Sequence, residues 1–238
     1  MGLFDRPLEG VRRFLDQKRG LGEVREFDAD AVADWPEGSS LILEEETAIE
    51  LGNPGVGSLS VLLWTETEQI ADGRISLLGP DLGEIPAGSA PFGQILMVSG
   101  TFEHAFESYT ELRDAVYETR LEGLMNRSLP SQQSLWCRVD EEAMRRGLSL
   151  SHLGAALIRS LRSVDSVRGA EAVLVTSGAR DLEELAGPAH EAGRLVEALM
   201  KMNVEMDFDC DTCDYREVCE SVAELKKIRK RLMGETRQ

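Results

Sequence analysis

Apolar positions at the start of the chain recur at the helical period. Phe4, Leu8, Val11 and Leu15 fall three to four residues apart, so Phe4 to Lys18 is expected to form an amphipathic helix. Gly20 and Gly22 end it. Asp34-Trp35-Pro36-Glu37-Gly38 is turn chemistry and marks a boundary. Beyond it the pattern shortens to compact apolar runs bounded by Gly, Pro or Asn. Leu41-Ile42-Leu43, Leu59 to Trp64, Ile75 to Leu78 and Ile95 to Val98 read as strands, with a turn at Gly52-Asn53-Pro54-Gly55.

After Gly100 the helical period returns. Phe102, Phe106, Tyr109, Val116, Tyr117, Leu121, Leu124 and Met125 predict one long helix, closed by Pro130. Ser134 to Val139 reads as a strand, Glu141 to Gly147 as a short helix, His152 to Leu161 as a second helix and Ala172 to Thr176 as a buried strand. Asp181 to Met202 is helical, with an interruption expected at Gly187-Pro188 because proline has no N–H to donate. A last helix, Val218 to Leu232, runs into Lys226, Lys227, Arg229, Lys230 and Arg231. Strands come first and helices interleave later. The fold class is therefore α/β (α+β): a mixed sheet with flanking helices and a helical, cysteine-containing C-terminal appendage. The expected divisions are 1–36, an N-terminal helix and linker; 37–203, the mixed domain; and 204–238, the cysteine motif and C-terminal helix.

Composition narrows the function. With 42% apolar and 29% charged residues among 238, the chain has enough core to fold without metal or disulfides. Its net charge of −17 repels phosphate backbones and anionic bilayers, which argues against nucleic-acid partners. No apolar run approaches the roughly 18 residues of a membrane span. Met1 to Gly10 carries Asp5 and Glu9 and no apolar stretch of the signal-peptide kind, so a cytoplasmic location is expected.

The strongest chemical signal is Cys210-Asp-Thr-Cys213-Asp-Tyr-Arg-Glu-Val-Cys219, a C-x2-C-x5-C spacing. In a reducing compartment such crowding reads as metal binding rather than a disulfide framework. Three thiolates can hold a [4Fe–4S] cluster if the fourth iron takes another ligand. The alternatives are a zinc-stabilised interaction hairpin, which wants four Cys or His ligands, and idle cysteines at a helix end. His104, His152 and His190 lie far away in sequence, and His152 reads as a cap or core residue. Asp207, Asp209, Asp211, Asp214, Glu217 and Glu220 surround the thiols; they would disfavour a more negative, reduced cluster and suit a basic partner face.

Cys137 is the remaining cysteine and the candidate fourth metal ligand. On a strand it points opposite to Trp136 and Arg138. Either Trp136 faces outwards and Cys137 is a buried apolar thiol, or Trp136 is core and Cys137 reaches towards the cluster or a second subunit. Trp136 and Arg138, a ring and a guanidinium on one strand, could hold a nucleotide or a phosphate; a half-buried structural strand is the plainer reading. Gly52 to Gly57 matches neither phosphate-loop pattern, and no G-x-S-x-G is present.

A series of segments resembles a known family in collinear order: Ile49-Glu50-Leu51-Gly52-Asn53-Pro54, Asp72-Gly73-Arg74-Ile75-Ser76-Leu77-Leu78-Gly79-Pro80-Asp81-Leu82, Pro91-Phe92-Gly93, Glu122-Gly123-Leu124-Met125, Trp136-Cys137-Arg138-Val139 and Cys210-x-x-Cys213. They resemble the acetyl-CoA synthase (acetyl-CoA decarbonylase/synthase beta) subunit of the CO dehydrogenase complex, over about residues 44 to 222. That family joins a corrinoid-borne methyl group, CO and CoA at a [4Fe–4S] cube bridged to nickel. The resemblance implies that Cys210 and Cys213 are cube ligands, with Cys219 the third, and that Trp136 and Arg138 lie in a CoA-associated region. The family's fourth cube cysteine and its Cys-Gly-Cys nickel motif have no counterpart here. The expectation is thus an iron–sulfur protein of anaerobic one-carbon metabolism without the nickel site. It would act as an electron-transfer or docking component beside a corrinoid protein, methyltransferase or redox protein, or by self-association. An enzyme with substrate at an open cluster iron is a further alternative.

Overall fold

The computed structural model describes residues 2–38, 41–66, 70–129, 133–204 and Leu225. Among them the helices are α1 (Asp5–Gly20), α2 (Ala105–Glu118), α3 (Glu141–Arg145), α4 (Leu150–Arg162) and α5 (Ala179–Val204). The strands are β1 (Val24–Asp28), β2 (Thr47–Leu51), β3 (Ser58–Thr65), β4 (Arg74–Leu78), β5 (Gly88–Ala90), β6 (Phe92–Gly100), β7 (Leu124–Leu129), β8 (Ser134–Asp140) and β9 (Val167–Val175). They build two mixed sheets with flanking helices, the α/β class expected.

The larger sheet has the order β1-β4-β9-β6-β3. β4 and β9 run parallel, as do β3 and β6, while β6 and β9 are antiparallel. Every residue of β6 is buried, as a strand covered on both faces requires. α4 covers one face, with Gly154 against Ile75. α1 and α5 cover the other: Arg19 reaches Ser76 and Glu171, and Leu182 lies against Gly93. Residues 1–36, expected as a helix and linker, thus add an edge strand, β1, paired with β4.

The smaller sheet has the order β5-β2-β8-β7. Its inner face carries Ile49, Leu51, Leu135, Cys137 and Val139 into the common core. β8 alternates strictly, with Leu135, Cys137 and Val139 buried and Ser134, Trp136, Arg138 and Asp140 half-exposed. The outer face of this sheet is half-buried among the described residues, with the Ile42 segment bonded to Arg138.

Four expectations need correction. The long helix ends at Glu118, and Leu124 to Leu129 is strand β7. Between them Leu121 bridges Leu124 across a turn whose Gly123 has φ +78°; Leu121 and Leu124 are apolar because they enter the core, not because a helix continues. Leu41-Ile42-Leu43 is not a strand. Ile42 is buried between two exposed leucines, and the Arg138 side chain takes its carbonyl at 3.3 Å. α5 is not interrupted at Pro188, because the ring packs on Gly10 of α1, where a Cβ would stand 2.7 Å from Pro188 Cγ. β1, β2 and β5 are strands that no run of apolar residues announced. The helix expected at Val218 to Leu232 lies outside the described residues, apart from Leu225, which is buried in the core.

Candidate functional site

The chemistry-bearing residues that the fold gathers lie on the outer face of the smaller sheet. The register sets Glu50 of β2 beside Arg138 of β8, and Trp136 beside Arg127 of β7. Side chains opposite one another on one face are within contact distance, so four residues from three strands form one patch. Arg138 Nε donates to Glu50 Oε1 at 2.9 Å, and Asn53 Nδ2 donates to Glu50 Oε2 at 2.6 Å. Burial works against the Glu50 charge, but the bonds from Asn53 and Arg138 outweigh it and hold the carboxyl below its ordinary range.

Trp136 is flanked by both guanidinium groups, Arg138 at 4.9 Å and Arg127 at 5.3 Å from its ring centroid. Such distances are within the range of cation–π attraction. The two arginines differ. Arg138 is neutralised by Glu50, whereas exposed Arg127 makes no ion pair among the described residues. The buried indole N–H of Trp136 lies near the Glu50 carboxylate without completing a hydrogen bond. The patch thus offers an aromatic ring and a guanidinium that has no carboxylate partner among the described residues, on a chain of net charge −17. An anion carrying a flat ring suits both.

Cys137, on the opposite face of β8, is fully buried. Burial in apolar surroundings pushes its thiol far above the ordinary range, so it stays protonated at neutral pH. This is the arrangement in which Trp136 faces out and Cys137 is a core residue. His152 is a structural cap: the Ser149 N–H donates to its Nδ1 at 3.1 Å, and its ring lies 5.0 Å from that of Trp35. Cys210, Cys213 and Cys219 lie outside the described residues. Among the described residues no three His, Cys, Asp or Glu side chains gather as metal ligands.

The sequence reading singled out Trp136 and Arg138 but missed Arg127 as a partner. Arg127 lies within the stretch expected to be helical up to Pro130, where nothing pairs it with Trp136. Leu124-Met-Asn-Arg-Ser-Leu129 before a proline was the available strand signal.

A family model described as the CO dehydrogenase/acetyl-CoA synthase complex beta subunit matches residues 32–177, which include the whole patch. The chain belongs to that family. Among relatives of the acetyl-CoA synthase beta family, the "Acetyl-CoA decarbonylase/synthase complex subunit beta" of Archaeoglobus fulgidus is 29% identical over 213 residues, covering 86% of this chain and 39% of that protein. The subunit of the same name from Methanothermobacter thermautotrophicus is 32% identical over 111 residues, 46% of this chain and 23% of that protein. The "Carbon monoxide dehydrogenase/acetyl-CoA synthase subunit alpha" of Moorella thermoacetica is 28% identical over 129 residues, 53% and 17% of the two chains. The chain thus spans well under half the length of these acetyl-CoA synthase relatives. The matched region ends at Ser177, before α5 and the cysteine segment. No helix among the described residues is long and apolar enough to cross a membrane.

Proposed function

We propose that this protein is an acetyl-CoA-synthase-like accessory component of corrinoid-linked one-carbon metabolism. It takes CoA, or a carrier with the same nucleotide end, on the Trp136 face and holds one [4Fe–4S] cluster through Cys210, Cys213 and Cys219. The observation that carries the reading is Trp136 set between Arg127 and Arg138 on the half-buried outer face of the smaller sheet, within the family-matched region. The adenine stacks on the Trp136 face that the Arg127 guanidinium gives up as it turns to the ligand, a contact worth about 1–3 kcal/mol per base. Arg127 pairs with a phosphate, and Glu50 with Asn53 holds Arg138 against the ring. The donor chemistry of the cysteine segment, three thiolates within ten residues, fits three corners of a cube. A cluster there supplies a one-electron couple or a brace for the C-terminal segment. The burial of Cys137 in the core supports a fourth ligand other than Cys137. The acidic surface favours a basic docking face on the partner, whether corrinoid protein, methyltransferase or redox protein.

Anaerobic purification with iron, sulfide, zinc and nickel analysis tests the cluster, and calorimetric titration with CoA tests the face. The reading expects brown protein with an electron paramagnetic resonance signal after reduction, and CoA affinity that falls in Arg127→Gln. A colourless, zinc-loaded protein would replace the cluster with a structural zinc site.

A further inference from the structure

We propose that Gln133 is a positioning residue that pins the Trp136 face to α5, so that ligand affinity on β8 depends on the contact of Gln133 with that helix. The inference rests on the reading of the Trp136 face as the ligand site. Gln133 is the one non-glycine residue at positive φ among the described residues, at +49°. A side chain held in that region costs free energy that its surroundings must return. Three bonds do so. Gln133 Nε2 donates to the carbonyl of Ala189 in α5 at 2.7 Å. Its own carbonyl accepts from Ser60 N in β3 at 2.6 Å. Two residues on, Leu135 N donates to Ser58 Oγ at 3.4 Å. One residue therefore joins both sheets and the helix on the far layer, three positions before Trp136.

The helix is shaped for this contact. A Cβ on Gly193, one turn beyond Ala189, would stand 2.9 Å from both Cδ and Oε1 of the Gln133 amide. Glycine is a poor helix former in the middle of a 26-residue helix. Its presence there is explained by the room the amide needs. On the other side, a Cβ on Gly52 would stand 2.1 Å from the Leu135 carbonyl, so β8 is seated between a close turn and the α5 tie. Only small movements of β8 are needed to separate Trp136 from Arg127, because their contact spans two neighbouring strands.

The test uses the full chain and CoA as probe. Gln133→Glu keeps the shape but replaces the donor by an acceptor facing the Ala189 carbonyl. Gly193→Ala leaves Gln133 intact and displaces its amide. Both should weaken CoA binding about tenfold, the scale of a coupling contact outside the site, and the double variant should be no weaker than either. In Gln133→Glu the deficit relative to wild type should shrink as pH falls into the ordinary carboxyl range, about 4.3, where a protonated carboxyl donates again; a merely steric role would give no such pH profile. Wild-type affinity in both variants would overturn the proposal. If wild type itself binds no CoA, the ligand reading fails, and amide hydrogen exchange decides the tie separately. Faster exchange at Leu135 to Cys137 in both variants, with β9 unchanged, supports it, and exchange equal to wild type refutes it.

Discussion

At the scale of residues, the molecule spends buried charge on joining its layers. Lys18 of α1 and Asp181 of α5 pair at 2.6 Å with side chains 11% exposed each, and Glu23 and Ser177 complete the group. Burial opposes the Asp181 charge, yet the bonds from Lys18 and Ser177 outweigh it, so its carboxyl stays below the ordinary range. The bond from Asp181 likewise raises Lys18. Asp181→Asn leaves Lys18 buried with Glu23 alone, and we expect a loss of about 2–3 kcal/mol in urea unfolding at pH 7, somewhat under the cost of breaking a fully buried pair. A carboxyl lowered on folding stabilises above its unfolded value of about 4 and loses that contribution as pH falls through the folded value. The acid limb of the wild-type stability curve should therefore be steeper than that of Asp181→Asn.

At the scale of elements, two local rules are overridden or exploited. Pro188 removes a donor from α5, but its ring fills the space over Gly10 and the helix continues. Gly10→Ala improves the propensity of α1 by about 0.8–1 kcal/mol in isolation. It also drives a methyl into the Pro188 ring, and overpacking of that kind costs about 1–3 kcal/mol. The net expectation is a lower Tm, restored when Pro188→Ala is added; equal Tm values for Gly10→Ala with and without the second change would refute the contact. α4 depends on a neutral ring. Burial lowers the His152 pKa, with Arg159 adding to the effect and Asp81 opposing it. Because the unfolded chain takes up the proton first, this contribution is whole above about pH 6.5 and declines as pH falls through the folded value. His152→Gln should flatten that part of the stability profile, measured by urea unfolding between pH 7.5 and 5.5.

At the scale of the whole molecule, the folded body and the cysteine segment are separable in a test. Cys137 is a core side chain, so Cys137→Ala should cost about 1 kcal/mol of stability and leave the iron content and spectrum unchanged. Cys210→Ser, Cys213→Ser and Cys219→Ser should each lose iron and sulfide while the far-ultraviolet circular dichroism of the α/β body persists. Loss of the cluster in Cys137→Ala would show that the core thiol completes it. Full iron in all three serine variants would remove the ligand assignment.

The sequence by itself determined the elements whose burial is periodic. α1 and α4 show one apolar stripe, β6 and β9 continuous apolar runs, and β8 strict alternation, since each pattern records which faces meet the core. It also set Cys137 against Trp136, because a strand alternates. It could not show that Leu121 and Leu124 belong to a turn and a strand, since an apolar residue has the same spacing whether it faces its own helix partner or a neighbour from elsewhere. Polar edge strands such as β1 carry no periodic signal, for their neighbours alone define them. The site was half legible for the same reason. Trp136 and Arg138 lie two residues apart, but Glu50, Arg127 and the Gln133 tie to Ala189 come from other strands and from α5. Strand register and layer packing bring them together, and those are settled only when the whole core closes.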